Sequence, residues 1–425
     1  MKDTIRIKNI LNILPILGLF VYYYTVSFTR ILPILFPLGL VALWIVFALF
    51  QEGIQKILFS KGARWWLAYM LQCYVMSIIG ISSSNINYQI VNTPLFFIPV
   101  IGSFVVRNFN YKELRLLVVG ALIIYLGNIV QNIFVWNTFP EWFGDKVVNS
   151  EENDEFMKML NIAPTAMVST SIFILGTFCI EFFCGKKNLL KGMCLSIIIL
   201  IGFYVFVVSS RATASIFIVI MLLGFILAKK EPLHHKFRYY IINISMICMI
   251  GLIFAIPILQ IVSQCVDNER LSTRFNDVLS LFQSSGNISK MNEGSFSERL
   301  ELHIISIKSW LSGPISFLFG IGDHTVKIGG NLMKSGIGGH SEVWDLLGKY
   351  GLVGGFIFYK IFKEYYSEFF DIFKNKVIIK YFNIMIAIYL LYGFFNHIIH
   401  PITILYMFLI FPVIVKLMLF NRISR

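Results

Sequence analysis

Three short stretches hold residues whose types could do chemistry together. Arg211 closes Ser209-Ser210-Arg211 between two strongly apolar runs, and Arg299 sits within Ser297-Glu298-Arg299-Leu300-Glu301. A guanidinium presents a planar fork of donors that matches the oxygens of a phosphate or pyrophosphate, and it stays charged at any ordinary pH. The third stretch, Gly338-Gly339-His340-Ser341-Glu342, supplies an imidazole. Its reference pKa of about 6.5 suits it to accept a proton near neutrality. Ser341 and Glu342 add polar groups that could bind the same substrate. Each stretch also has a plainer reading by itself. Arg211 reads as an interfacial arginine snorkelling to head groups, Arg299 as a surface partner of Glu298 or Glu301, and a lone interfacial histidine as structural.

These residues are set in a chain that a soluble fold could not bury. Of 425 residues 57% are hydrophobic and 14% charged, with a mean hydropathy of +0.75. Apolar runs recur along the whole length, each near the ~20 residues a helix needs to cross a hydrocarbon core of about 30 Å. They predict an all-α polytopic membrane protein with spans at residues 10–28, 31–50, 65–83, 86–106, 114–135, 165–184, 193–209, 213–228, 239–262, 343–362, 378–395 and 402–420. Both termini then lie in the cytoplasm. Every second connection is basic: Lys56, Lys61 and Arg64; Arg107, Lys112 and Arg115; Lys186, Lys187 and Lys191; Lys229, Lys230, Lys236 and Arg238; and the stretch from Lys360 to Lys380. About 24 of the 36 Lys and Arg fall on that side, as the positive-inside rule expects. Location therefore accounts for the net charge of +13 without nucleic acid. Met1 to Lys8 is basic, but no small-residue cleavage site follows, which predicts an uncleaved first helix. Cys73, Cys179, Cys184, Cys194 and Cys248 fall in or beside apolar runs and read as small hydrophobes; Cys265 alone lies near the outer surface.

The expected organisation is a membrane bundle over 1–262, a large extracytoplasmic loop over 263–342 and a second bundle over 343–425. A loop of roughly 80 residues is functional or partly folded. Leu300, Ile304, Ile307 and Leu311 predict a helix within it, and the glycines between Gly320 and Gly339 predict irregular backbone. After Glu342 the chain runs Val343-Trp344-Asp345-Leu346-Leu347-Gly348-Lys349-Tyr350-Gly351-Leu352-Val353-Gly354-Gly355. Asp345 and Lys349, spaced i, i+4, are expected to neutralise one another where the helix enters lipid, and Gly-x-x-Gly permits close helix contact. The other outer loop, 136–164, is acidic and reads as solvated surface, with sugar binding as the alternative. His397 and His400 at an outer turn are too few ligands for a metal and read as structural, while His234 and His235 belong to a basic loop. The sequence shows no internal repeat, nucleotide-binding loop or CxxC pair, which counts against an ATP-driven pump or a metal centre.

His-Ser, nine residues, then Gly-x-x-Gly resembles the motif of the O-antigen polymerase and ligase superfamily, the Wzy-type polymerases and WaaL-type ligases. Ser210-Arg211 resembles that family's Ser-Arg hairpin. Arg299 followed by Trp310, Pro314 and Gly320-x-Gly322 resembles the segment before its histidine. His303 departs from the expected tryptophan or leucine, and Ser341 stands where ligases commonly have asparagine, which leans toward polymerase. The resemblance implies a GT-C-like helical fold in the bacterial cytoplasmic membrane. It implies a glycosyltransferase that joins undecaprenyl-pyrophosphate-linked oligosaccharides on the outer face, with no cofactor or metal. His340, Arg299 and Arg211 would be catalytic. Arg211, Arg299, Ser341 and Glu342 would bind substrate. The bilayer, a chain-length regulator and a flippase would be partners. A ligase remains the alternative. A lipid-oligosaccharide flippase or transporter is a further one, although Asn128, Gln131 and Asn132 offer few polar groups at mid-membrane.

The charge alternation makes a direct prediction. Cysteines introduced within 263–339 should react with an impermeant maleimide applied from outside, and cysteines within 229–238 only after permeabilisation; the reverse pattern would overturn the topology.

Overall fold

A computed structural model describes residues 7–24, 32–33, 35–49, 60–79, 86–138, 164–184, 188–205, 212–230, 295–324, 336–373 and 376–423. Among these, the regular structure is helical. In chain order the helices are α1 (Ile7–Tyr24), α2 (Phe36–Leu49), α3 (Lys61–Ile78), α4 (Ile86–Asn108), α5 (Tyr111–Thr138), α6 (Pro164–Cys184), α7 (Asn188–Phe203) and α8 (Ala212–Lys230). There follow α9 (Ser295–Trp310), α10 (Pro314–Phe319), α11 (Glu342–Phe373), α12 (Lys376–Gly393), α13 (Pro401–Leu405) and α14 (Phe411–Ile423). A π turn at Tyr406–Ile410 joins the last two into one rod. Helices therefore stand at every span expected from the apolar runs except 239–262, which lies outside the described residues, as does the expected acidic loop from 139 to 163.

The outer faces of these helices are as apolar as the inner ones. Leu67, Leu71, Val75 and Ile78 form an exposed stripe on α3, Leu116, Val119, Ile123, Val130 and Phe134 on α5, and Ile216, Val219, Leu223 and Ile226 on α8. In water such faces would be replaced by charge, so the fold is consistent with a helical membrane protein. Three segments are long and apolar enough to cross a membrane, Tyr111–Val135, Lys376–Gly393 and Pro401–Met418, and shorter apolar helices surround them.

The Pro401–Met418 rod is the centre of the bundle, and residues 402 to 413 are buried without a break. Its π turn displaces carbonyls from the helical ladder, which must then find other donors. Tyr365 and Tyr366 of α11 supply them: Tyr365 Oη donates to the Phe408 carbonyl, and Tyr366 Oη to Met407 at 2.7 Å. Tyr406 Oη donates to Ala121 of α5 at 3.1 Å, and its ring meets Phe20, Tyr24 and Tyr125 edge-on.

Helix ends sort into two opposite sides. At one, Glu113 is fully buried and accepts from Asn9 Nδ2 at 2.6 Å and Asn110 N–H at 2.8 Å, joining the starts of α1 and α5. There Lys416 donates to Val106 and Phe109 beyond the last turn of α4, and Lys380 to Ala228 at the end of α8. Cations at helix C-termini satisfy orphan carbonyls and oppose the dipole. At the other side, Ser169 of α6 donates to the His397 carbonyl and Thr170 hydrogen-bonds Thr403.

Helix α11 is broken at Gly351, whose φ of 63° and ψ of −164° no helix contains. The break lies nine residues from Glu342, about 13 Å along the axis. The short helix α10 and Gly320 fill it: a Cβ on Gly351 would fall on the Leu318 carbonyl, and one on Gly320, at φ 81°, on the Lys349 carbonyl. Alanine at either position is expected to cost at least about 2 kcal/mol, from strain plus the clash. Gly127→Ala, a helical site with open space around it, should be neutral or stabilising by up to about 1 kcal/mol. Thermal melts in detergent would check the order, and a Gly351→Ala protein that melts with wild type would refute the packing.

Candidate functional site

The glycine-rich segment before α11 is held by side chains of α9. Ser306 Oγ donates to Asp345 Oδ1 at 2.6 Å and accepts from Gly338 N–H at 2.9 Å; Ser309 Oγ donates to the Gly336 carbonyl and accepts its N–H. Ser341 caps α11, accepting Trp344 N–H at 3.2 Å while its own N–H donates to Asp345 Oδ2 at 3.0 Å. Its hydroxyl also donates to Gly393, tying the cap to the end of α12. Ser341 is thus fully buried, with both hydrogen-bonding capacities used within the protein. The face of α9 that packs here carries Leu302, Ser306 and Ser309, not the apolar stripe that predicted the helix.

Below the cap lies the break. The carbonyls of Gly348 and Lys349 accept from Ile321 N–H at 2.9 Å and Gly322 N–H at 3.0 Å, and that of Tyr350 from Gln72 Nε2 of α3 at 3.2 Å. Lys349 pairs with Asp323 at 3.0 Å rather than with Asp345, which corrects the expected i, i+4 pair. Asp345 is instead committed to Ser306 and Ser341, and the loop supplies the acid that its position on the helix did not.

Glu342 faces the turn between α12 and α13. Its Oε2 accepts from Ile398 N–H at 3.2 Å and Ile399 N–H at 3.0 Å and lies 2.7 Å from His397 Nδ1. The His397 charge and hydrogen bond, with those amides, outweigh burial and hold the carboxyl at about 2. Glu342 in turn raises the His397 imidazole above its ordinary value against the opposing pull of burial. Burial and the neighbouring His397 push His400 down to about 4. Glu342, expected as a substrate ligand, is instead held by His397 and the Ile398 and Ile399 amides. Among the described residues no group of three or more His, Cys, Asp or Glu could hold a metal ion.

Of the residues singled out in the sequence, His340 lies half-buried in the loop immediately before the Ser341 cap. Arg299 lies on α9, one turn before Leu302, whose backbone is in contact with Gly338. Arg211 lies outside the described residues. Sequence reasoning missed Ser306, Asp323 and the pairing of His397. Serines at i and i+3 on α9, facing a glycine-rich loop, were the available signal for the first. No protein-family model matches the chain, and no curated protein matches it.

The Glu342–His397 pair predicts a pH window for stability. Glu342, with its pKa lowered from 4.5, contributes above that value and loses the contribution as pH falls toward about 2. His397, raised from 6.5, contributes fully below that value and loses it as pH rises through its folded pKa. The pair's own contribution should therefore be greatest between the two ordinary values, while His400, lowered from 6.5 to about 4, opposes it as pH falls through that range. His397→Ala should flatten the alkaline decline, and an unchanged decline would exclude the pair as its source.

Proposed function

We propose that the chain is a polysaccharide polymerase that joins undecaprenyl-pyrophosphate-linked oligosaccharides, O-antigen or capsular repeat units, on the outer face of the bacterial cytoplasmic membrane. The observation that carries the reading is the seating of Gly338 on the α9 backbone at Leu302. It brings the His340 loop within about one helical turn of the backbone of Arg299. The backbones of His340, whose imidazole would meet the acceptor hydroxyl, and Arg299, whose guanidinium would meet the leaving pyrophosphate, thus lie at one end of the bundle.

In this reading the side with Glu113, Lys380 and Lys416 is cytoplasmic, as are both termini, and the side with His340, Glu342 and His397 faces outward. Donor sugar leaves its lipid pyrophosphate as the acceptor hydroxyl attacks the anomeric carbon. Arg299 and Arg211 hold the pyrophosphates through bidentate forks, and no nucleotide sugar or metal is called on. His340 meets the acceptor hydroxyl. Ser341 and Glu342, offered above as substrate ligands, serve by fixing that loop to α11, α12 and the 394–400 turn. The same residues would serve a ligase, and Ser341 in place of asparagine favours the polymerase.

In purified assay with saturating donor and acceptor, His340→Ala should lower turnover by roughly 10² to 10⁴, and Lys at Arg299 or Arg211 should shorten the polymer steeply while insertion persists. A null mutant in the native host should accumulate single repeat units, resolved by electrophoresis of its glycans. Long chains still on their lipid carrier would identify a ligase instead.

A further inference from the structure

The reading above gives the turn between α12 and α13 no chemical task, yet Glu342 and His397 have the orientation of a base and its support. Nδ1 faces the carboxylate, so in the neutral ring the lone pair sits on Nε2. The His397 side chain is 37% exposed and that of Glu342 12%, so the ring opens outward while the carboxylate is shielded behind it. Nε2 has no hydrogen-bond partner among the described residues. The carboxylate cannot turn away, because two backbone amides grip the same oxygen and the Glu342 N–H donates to Asn396 at 3.1 Å. His400 stands edge-on to the imidazole, 4.7 Å between ring centres, and limits its swing. A surface histidine that merely filled space would need none of this.

We propose that His397, oriented by Glu342, is the base that takes the acceptor hydroxyl's proton, leaving His340 to position that hydroxyl; the proposal rests on the polymerase reading above. The hydroxyl oxygen forms the new bond to the anomeric carbon. The bond from that carbon to the pyrophosphate oxygen breaks, and its electron pair leaves with the lipid pyrophosphate. The hydroxyl proton goes to Nε2 and then to water. Glu342 stabilises the imidazolium while it lasts, as a carboxylate does behind a catalytic imidazole. Among the described residues, the charged and titratable groups acting on His397 are Glu342, Asp345 and Lys349 of α11, with His400 in its own turn and Tyr389 of α12 near Glu342; α6 brings Ser169, which does not titrate.

The test uses the purified full chain in proteoliposomes, with undecaprenyl-pyrophosphate-linked repeat unit extracted from the host, and measures turnover against pH. Wild type should gain activity as pH rises through the raised His397 value. Glu342→Gln should move that acidic limb to lower pH, and His397→Ala should remove it and lower the plateau by roughly 10² to 10⁴. His340→Gln should leave the limb in place while lowering the plateau and raising KM for the acceptor. His397→Gln, whose amide can still donate to Glu342, stands in if the alanine variant fails to fold as judged by melting. A wild-type polymerase whose limb is unmoved in both Glu342→Gln and the His397 variant would overturn the proposal alone. Wild-type protein that forms no polymer would overturn the polymerase reading and the proposal with it.

Discussion

At Gly351 the carbonyls of Gly348, Lys349 and Tyr350 lose their helical donors in the middle of an apolar bundle, and the organisation of the candidate site follows from how they are satisfied. An unsatisfied backbone carbonyl in hydrocarbon costs several kcal/mol, so the break exists only because other groups reach it. Two donors come from the Ile321 and Gly322 amides and one from Gln72. Those amides arrive because α10 and the glycines after it enter the notch, and the Lys349–Asp323 pair closes the same contact electrostatically. Once α10 is placed, α9 has to lie alongside the first turns of α11. Its serines then hold the loop that carries His340.

The same rule operates at the centre of the bundle with a different solution. There the rod continues through a π turn, and two adjacent tyrosines of α11 donate to the Met407 and Phe408 carbonyls within it. Gly102 of α4 leaves room for the Phe408 carbonyl, where a Cβ would collide with it. The lower half of α11 is thereby fastened to the buried rod, and its upper half to the loop segments beyond the break. One helix thus links the most enclosed part of the protein to its most chemically varied end.

At that end the acids of α11 and of the loop before it are spent on the scaffold. Glu342, Asp345 and Asp323 are each committed, to amides and His397, to two serines, and to Lys349. Anions used this way fix backbone and imidazole rather than meet solvent.

How much of this was legible in the sequence differs by kind of interaction. Apolar runs marked the helices of the bundle, though not α9 and α10, because a helix in hydrocarbon satisfies its own backbone and needs only an apolar composition. The glycines at 320 and 351 announced irregular or close backbone, since few other residues permit either. That irregular backbone precedes the helix at Glu342 was visible from the Gly338-Gly339 pair. Partner choice was not visible. Asp345 and Lys349 satisfy the i, i+4 rule and yet bind elsewhere, because Ser306 and Asp323 from the loop reach them in better positions. His397 looked structural at 57 residues from His340 in sequence, and only the return of α12 and α13 to the start of α11 sets it against Glu342. Local spacing determines which residues a helix can offer; which of them meet is decided by the long-range packing that satisfies buried polar groups.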